Sequence, residues 1–275
     1  MRELSVIEQQ SVGKEIMKDV HSFCLSHSIS YSVGYGTLIG AIRHRGFIPW
    51  DDDIDIIMPR PDYTRFCQEY KSEHFKLICH ENNNNCLIAY ARVIDNSKTL
   101  CVSKVPWCSQ EVGMWIDVFP IDAVSDKESC YLKHYEELKR LWRRTVIDRQ
   151  AKQRIGTFDY RPLPTVKLVI KKVIAANGNK ACKHLEELID YGKKHQWGST
   201  LHWSQLTCMD GDARLEYMPI STLSSFSEVG FDDIKVMIMD DYDTVLKNLY
   251  GNYMIIPPKE KQISHNNLLN KWFWK

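Results

Sequence analysis

The sequence predicts an α+β fold: a mixed sheet flanked by helices, with a helical insertion and a C-terminal closing segment. Three observations predict it. Short β-prone runs alternate with apolar-periodic segments and Gly/Pro turns over about residues 20–125. A basic, helix-patterned stretch follows over about 126–205. Strand-like and turn segments return over about 206–275. At 275 residues the chain is long enough to bury a full core, and it reads as one domain over 1–275.

In chain order, residues 5–27 read as an amphipathic helix, with Val12, Ile16, Val20 and Phe23 at helical spacing toward a core. Ile29 to Val33 is β-prone and runs into Gly34-Tyr35-Gly36-Thr37, after which Leu38 to Ile42 starts a helix. Asp53 to Met58 is an Ile-rich strand, begun after Pro49-Trp50 and stopped by Pro59. Pro61 opens a helix over 61–70 that carries Tyr63, Phe66 and Tyr70. Phe75 to His80 and Cys86 to Ile94 read as strands joined by the asparagine run 82–85. Gly113 to Asp122 is another strand, with Met114, Ile116 and Val118 on one face and Trp115, Asp117 and Phe119 on the other. Asp122 follows Pro120 and reads as a turn cap. Loop and strand elements at Met209–Tyr217 and Phe226–Met239 precede a helix over Asp240–Tyr250, ended by Gly251.

Composition excludes several classes. A formal charge of +1 gives no global argument for binding nucleic acid or membrane. Nine cysteines, an odd number with no Cys-x-x-Cys pair, suggest neither a zinc nor a disulfide framework. Reduced thiols in a cytoplasmic protein are expected, with Cys79 and Cys86 as core residues. No signal peptide and no membrane-length apolar run is read. Lys139, Arg140, Arg143, Arg144, Arg149, Lys152 and Arg154 crowd one helical segment, and Lys167, Lys171 and Lys172 the next. Two readings stay open: solvated helix faces, or a basic face that draws in an anionic glycan or rests peripherally on the inner face of a membrane.

The chemistry is concentrated near the first acidic strand. Alternation sends Asp51, Asp53 and Asp55 to one face and Ile54, Ile56 and Met58 to the other. Adjacent carboxylates repel unless a cation sits against them. A hard divalent ion, Mg2+ or Mn2+, meets that need and is commonly held by one or two carboxylates plus substrate phosphates. A solvated turn or helix cap is the plainer alternative. A calcium loop of the EF-hand kind needs Gly where this chain has Ile56. Upstream, the Gly36-Thr37 turn offers backbone amides to a phosphate. Asp117, flanked by aromatics, needs a partner, and it completes a triad with Asp53 and Asp55 if the two strands are neighbours. Arg43 and His44 either steady a phosphorylated donor or serve structurally. Arg92 either contacts phosphate or pairs with Asp95 or another acid. Trp107, Trp115, Trp197 and Trp203 offer walls for a cationic headgroup, or simply core.

The run Gly36-Thr37-Leu38-Ile39-Gly40-Ala41-Ile42-Arg43-His44-Arg45-Gly46-Phe47-Ile48-Pro49-Trp50-Asp51-Asp52-Asp53-Ile54-Asp55 resembles the hallmark of the LicD family of phosphotransferases, which includes the fukutin and fukutin-related proteins. Tyr35 departs from it, standing where the family has the first Gly of a Gly-Gly pair. Asp117-Val118-Phe119-Pro120-Ile121-Asp122 and Tyr250-Gly251-Asn252-Tyr253-Met254, followed by Pro257, Pro258 and His265, extend the likeness over about 15–266. The resemblance implies a nucleotidyltransferase-like sheet, with Asp53, Asp55 and Asp117 as catalytic and metal-holding residues. Gly36, Thr37, Arg43, His44 and Arg92 are then the donor-binding or phosphate-binding candidates. It implies transfer of phosphocholine from CDP-choline to a hydroxyl of a lipopolysaccharide, capsule or teichoic acid glycan, with release of CMP. The expected partners are a CDP-activated donor and a glycan or lipid-linked glycan acceptor, without nucleic acid. Transfer of glycerol or ribitol phosphate from a CDP-alditol, a nucleotidyltransferase acting on another acceptor, and a non-enzymatic binding module are the alternatives.

Overall fold

The computed structural model describes residues 1–83, 86–103, 107–108, 110–154, 179–209, 211–262, 264 and 270–275. Its first helix, α1 (Val6–Ser26), opens with a capping box. Ser5 accepts the Glu8 N–H, and the Glu8 side chain accepts the Ser5 N–H. Val12, Ile16 and Val20 are buried, as their spacing predicts, and each such side chain contributes roughly 1.5–3 kcal/mol of apolar burial.

The hub is β6 (Met114–Val124), buried at every position. On one side it runs parallel to β2 (Asp55–Pro59), which pairs antiparallel with the short β1 (Ser32–Val33). On the other side, its first half pairs antiparallel with β4 (Ala91–Asp95), and β4 with β3 (Lys76–Ile78). Its second half pairs antiparallel with β7 (His202–Gln205), which carries β8 (Met218–Pro219). One parallel pair among antiparallel ones makes the sheet mixed. A long, doubly covered strand must be apolar on both faces, and β6 is so except at Asp117 and Asp122. Two smaller pairs complete the described strands: β5 (Thr99–Ser103) with β11 (Asn270–Trp274), and the hairpin of β9 (Phe226–Phe231) and β10 (Ile234–Met239).

One face of the sheet is the main core. Ile54, Ile56, Met58, Ile116 and Val118 are almost fully excluded from solvent, and α1 and α3 (Arg60–Glu69) pack on β6. The opposite face is left for the acids. A second apolar cluster, including Tyr131, Tyr135, Leu138, Leu185 and Leu188, joins α4 (Glu128–Arg154) to α5 (Asn179–Gly192). Arg140, Arg143 and Arg144 lie exposed on α4. The side chains of Arg149, Lys152 and Arg154, and all of Lys167, Lys171, Lys172 and His265, lie outside the described residues. No described helix is long and apolar enough to cross a membrane.

Three expectations are corrected. The acidic strand begins at Asp55 rather than Asp53, although the Ile54 carbonyl already accepts the Asp117 N–H at 2.9 Å. The strand expected over Cys86–Ile94 contracts to Ala91–Asp95, with Cys86 in an isolated bridge to Cys108. Asp122 caps no turn. It is buried inside β6 and receives Arg60 in a fork, Nε and one Nη each at 2.6 Å, because a buried carboxylate needs a fixed counter-charge.

Candidate active site

The loop before β2 is built to bring three aspartates against a helix start. A helical turn, α2 (Tyr35–Ile39), continues as a wider π-type turn over Gly40–His44 and is broken at Arg45, whose φ is 57°. A Cβ at Gly40 would lie 2.5 Å from the Gly46 carbonyl oxygen, so only glycine permits the chain to fold back this tightly. A Cβ at Gly36 would meet the Asp51 carboxylate at 2.8 Å. Glycine there lets the acid approach the backbone. Tyr35 holds a φ of 48°, the left-handed region in which a side chain is strained.

Thr37 is buried, and its hydroxyl accepts the Asp55 N–H at 2.9 Å. It therefore ties the turn to the first residue of β2 and lines neither of the cavities described below. In register, Asp55 on β2 stands directly beside Asp117 on β6, and Asp117 beside Arg92 on β4. The two strands that the acid triad requires are neighbours. Arg92 Nε donates to Asp117 Oδ1 at 2.5 Å, and an Nη contacts Oδ2 at 3.4 Å. The guanidinium lies 4.1 Å from the centre of the Trp115 ring and 4.5 Å from that of Trp107. The cation on these tryptophans is the chain's own arginine. Asp95 is not its partner. That acid holds the following turn through Ser97 and Lys98.

The acids are charged against one another. Burial, then Asp55, Asp51 and Asp52, hold the Asp53 carboxyl well above the usual carboxylate range. Burial, then Asp117 and Asp51, do the same for Asp55, with Arg92 pulling the other way. Among the described residues, the acids whose ligand oxygens come within 4.8 Å of one another are Asp51, Asp52 and Asp53. Asp55 and Asp117 stand beside this group, with Asp117 committed to Arg92. Such an all-oxygen set, with more negative charge than Arg92 offsets, fits a hard divalent cation. Asp52, which the sequence reading does not single out, joins the cluster and also accepts from Ser264 at 2.5 Å. The signal for it was the unbroken Asp51-Asp52-Asp53 run.

Two cavities open on these acids. The first, about 370 Å³, is lined by Asp53, Asp55, Asp117 and Arg92, with Tyr90, Phe119 and Trp142 among its aromatic wall. The second, about 440 Å³, is lined by Asp51, Asp53, Asp55, Gly36, Arg43 and Tyr250. Asp53 and Asp55 belong to both. Arg43 faces the second cavity but gives one Nη to the carbonyls of Tyr253, at 2.5 Å, and Ile255, at 3.2 Å. Its Nε donates to His44 Nε2 at 2.9 Å. Burial and then Arg43 keep His44 below its ordinary pKa, and the imidazole serves as an acceptor. Trp203 is core, its indole N–H bound to Thr222, and Trp197 packs partly buried on the main core.

Comparison with known proteins adds identity to this geometry. Residues 28–175 match the family described as LicD/FKTN/FKRP, nucleotidyltransferase domain. Over 275 aligned residues, 97% of this chain and 97% of the relative, the sequence is 30% identical to the lipopolysaccharide cholinephosphotransferase LicD of Haemophilus influenzae. Uncharacterized proteins of Rickettsia typhi and Rickettsia prowazekii match shorter stretches. The first is 39% identical over 24% of this chain and 25% of the relative, the second 50% identical over 15% and 16%.

Proposed function

We propose, from the premise that the chain belongs to the LicD/FKTN/FKRP family, that it is a phosphotransferase moving phosphocholine from CDP-choline to a hydroxyl of a lipopolysaccharide-type glycan. CMP is the other product. The observation that carries this reading is the position of Asp53 and Asp55 in the shared wall of two cavities. A hydrolase needs one substrate site beside its acids. A group transfer needs two that meet at the reacting atom.

Asp53 and Asp55, with Asp51 and Asp117 beside them, are the residues to hold Mg2+ or Mn2+. When bound, that ion supplies charge neutralisation for the pyrophosphate and the transferring group. The chain's own residues do the rest. Thr37 fixes the backbone of Asp55, and Arg92 fixes the carboxylate of Asp117. The donor's nucleotide side lies in one cavity, and the acceptor hydroxyl, entering from the other, attacks its distal phosphorus. Its proton passes to the carboxylate set as CMP departs. The tilted Tyr90–Phe119 pair, with ring centres 4.5 Å apart, and Trp142 supply aromatic surface suited to a quaternary ammonium. The exposed Arg140, Arg143 and Arg144 suit contact with an anionic acceptor, or peripherally with the cytoplasmic surface of the membrane that bears it.

The test is incubation with Mg2+, purified lipopolysaccharide and, in parallel, CDP-choline, CDP-glycerol or CDP-ribitol, with CMP release and labelled glycan as readouts. Labelled glycan from CDP-choline alone supports the reading. Preference for a CDP-alditol moves the headgroup assignment. Nucleotide transferred to the glycan in place of the headgroup overturns the reading.

A further inference from the structure

We propose that the phenols of Tyr35 and Tyr250 are the hydrogen-bond donors that hold a diphosphate in the second cavity, with Lys261 at its edge. The inference rests on the two-cavity reading and names the residues that divide the substrates between the cavities.

Four observations lead there. Among the described residues, Tyr35 is one of the few non-glycine residues at positive φ, 48°, at the turn that adjoins the acids. Strain of this kind persists where surrounding structure holds it. Here the ring edge rests on Phe119, with centroids 5.9 Å apart. Tyr250 comes from a distant element, the C-terminal end of α6 (Tyr242–Tyr250), yet lines the same cavity beside Asp51, Asp53 and Asp55. Among the described residues, neither phenol hydroxyl nor the Lys261 ammonium has a hydrogen-bond partner. Arg43, also on the cavity wall, gives its Nε and one Nη to the chain itself.

The chemistry selects the ligand. A polyol would find acceptors in plenty on the acids but has no need of extra donors. A diphosphate placed beside three carboxylates needs donors on its far side. Neutral phenols provide them without adding a charge that competes with a cation at the acids. An ordinary tyrosine phenol titrates near 10, so both keep their protons at neutral pH.

The probe is inorganic pyrophosphate with Mg2+, titrated calorimetrically into wild type, Tyr35→Phe, Tyr250→Phe and the double variant. Removing a hydrogen bond to a charged group weakens binding about tenfold. Each single variant is expected to bind about tenfold more weakly, with an unchanged thermal midpoint, because each keeps its ring. Cytidine, which has no phosphate, serves as the control whose binding stays the same. Wild type that fails to bind Mg-pyrophosphate, or a double variant that binds it as wild type does, overturns the inference. The reading beneath it is scored separately by CMP release. If wild type binds pyrophosphate through both tyrosines yet releases no CMP from any CDP-linked donor, the inference stands and the phosphocholine reading falls. If wild type releases CMP and the double variant keeps the same donor KM, the inference falls and the reading stands.

Discussion

Replacing Arg92 with Met tests how the acid face is held together. Arg92 and Asp117 are 8% and 7% exposed, so both charges are largely withdrawn from solvent. The methionine keeps the length of the side chain but leaves Asp117 next to Asp55 with its close ion-pair partner gone. Breaking a buried pair from one side costs about 3–5 kcal/mol. At about 2–4 °C per kcal/mol for a chain of this size, the midpoint should fall by about 6–20 °C. The double variant Arg92→Met, Asp117→Leu removes both charges and should recover most of the loss, giving a coupling energy of at least about 2 kcal/mol. Urea unfolding followed by circular dichroism measures all four corners of the cycle. An Arg92→Met protein within about 1 kcal/mol of wild type, or a double variant that loses the sum of the singles, would refute the reasoning. A raised donor KM with unchanged stability would instead return Arg92 to the phosphate-binding role expected from the sequence.

Two further outcomes follow from single contacts. Thr37→Val leaves the Asp55 N–H unsatisfied in a buried setting and should cost about 1–3 kcal/mol in urea unfolding, whereas Thr37→Ser keeps the contact and the stability. Burial pushes the Glu216 carboxyl up to about 7 from 4.5. Between those pH values the unfolded chain releases this proton while the fold retains it. The contribution is therefore fully present below pH 4.5 and is lost as pH rises through 7. Glu216→Gln should raise the thermal midpoint at pH 8 and leave it unchanged at pH 4, and an equal change at both would contradict the assignment.

Much of this arrangement is legible in the order of the amino acids, and the reasons are local. Isoleucine alternation and flanking prolines announce β2, and period-two alternation places Trp115, Asp117 and Phe119 on one face of β6, where all three line the first cavity. What the chain order cannot carry is which strands are neighbours. The pairing of Asp55 with Asp117 depends on a parallel crossover between distant segments. The fate of Arg92 was open for the same reason: Trp107, Trp115 and Asp117 reach it only across the folded sheet. Asp122 misled because a proline two residues earlier suggests a turn, while the counter-charge that keeps it inside β6 is Arg60, far back in the chain. Tyr35 and Tyr250 left no periodic signal at all. They become neighbours of the acids through a strained turn and a helix end, features that pattern counting does not see.

The central claim is that Asp53 and Asp55 serve chemistry rather than stability. The direct measurement pairs CMP release from CDP-choline, as a function of Mg2+, with thermal unfolding, for wild type and the Asp53→Asn and Asp55→Asn variants. Because burial and mutual repulsion disfavour both charges in the fold, each variant should unfold at the same or a higher temperature in the absence of metal. Each should lose roughly 10²–10³-fold in rate, and wild type stripped of metal by chelator should lose activity likewise. Variants that release CMP at the wild-type rate, or that lose activity only in step with lost stability, would contradict the account.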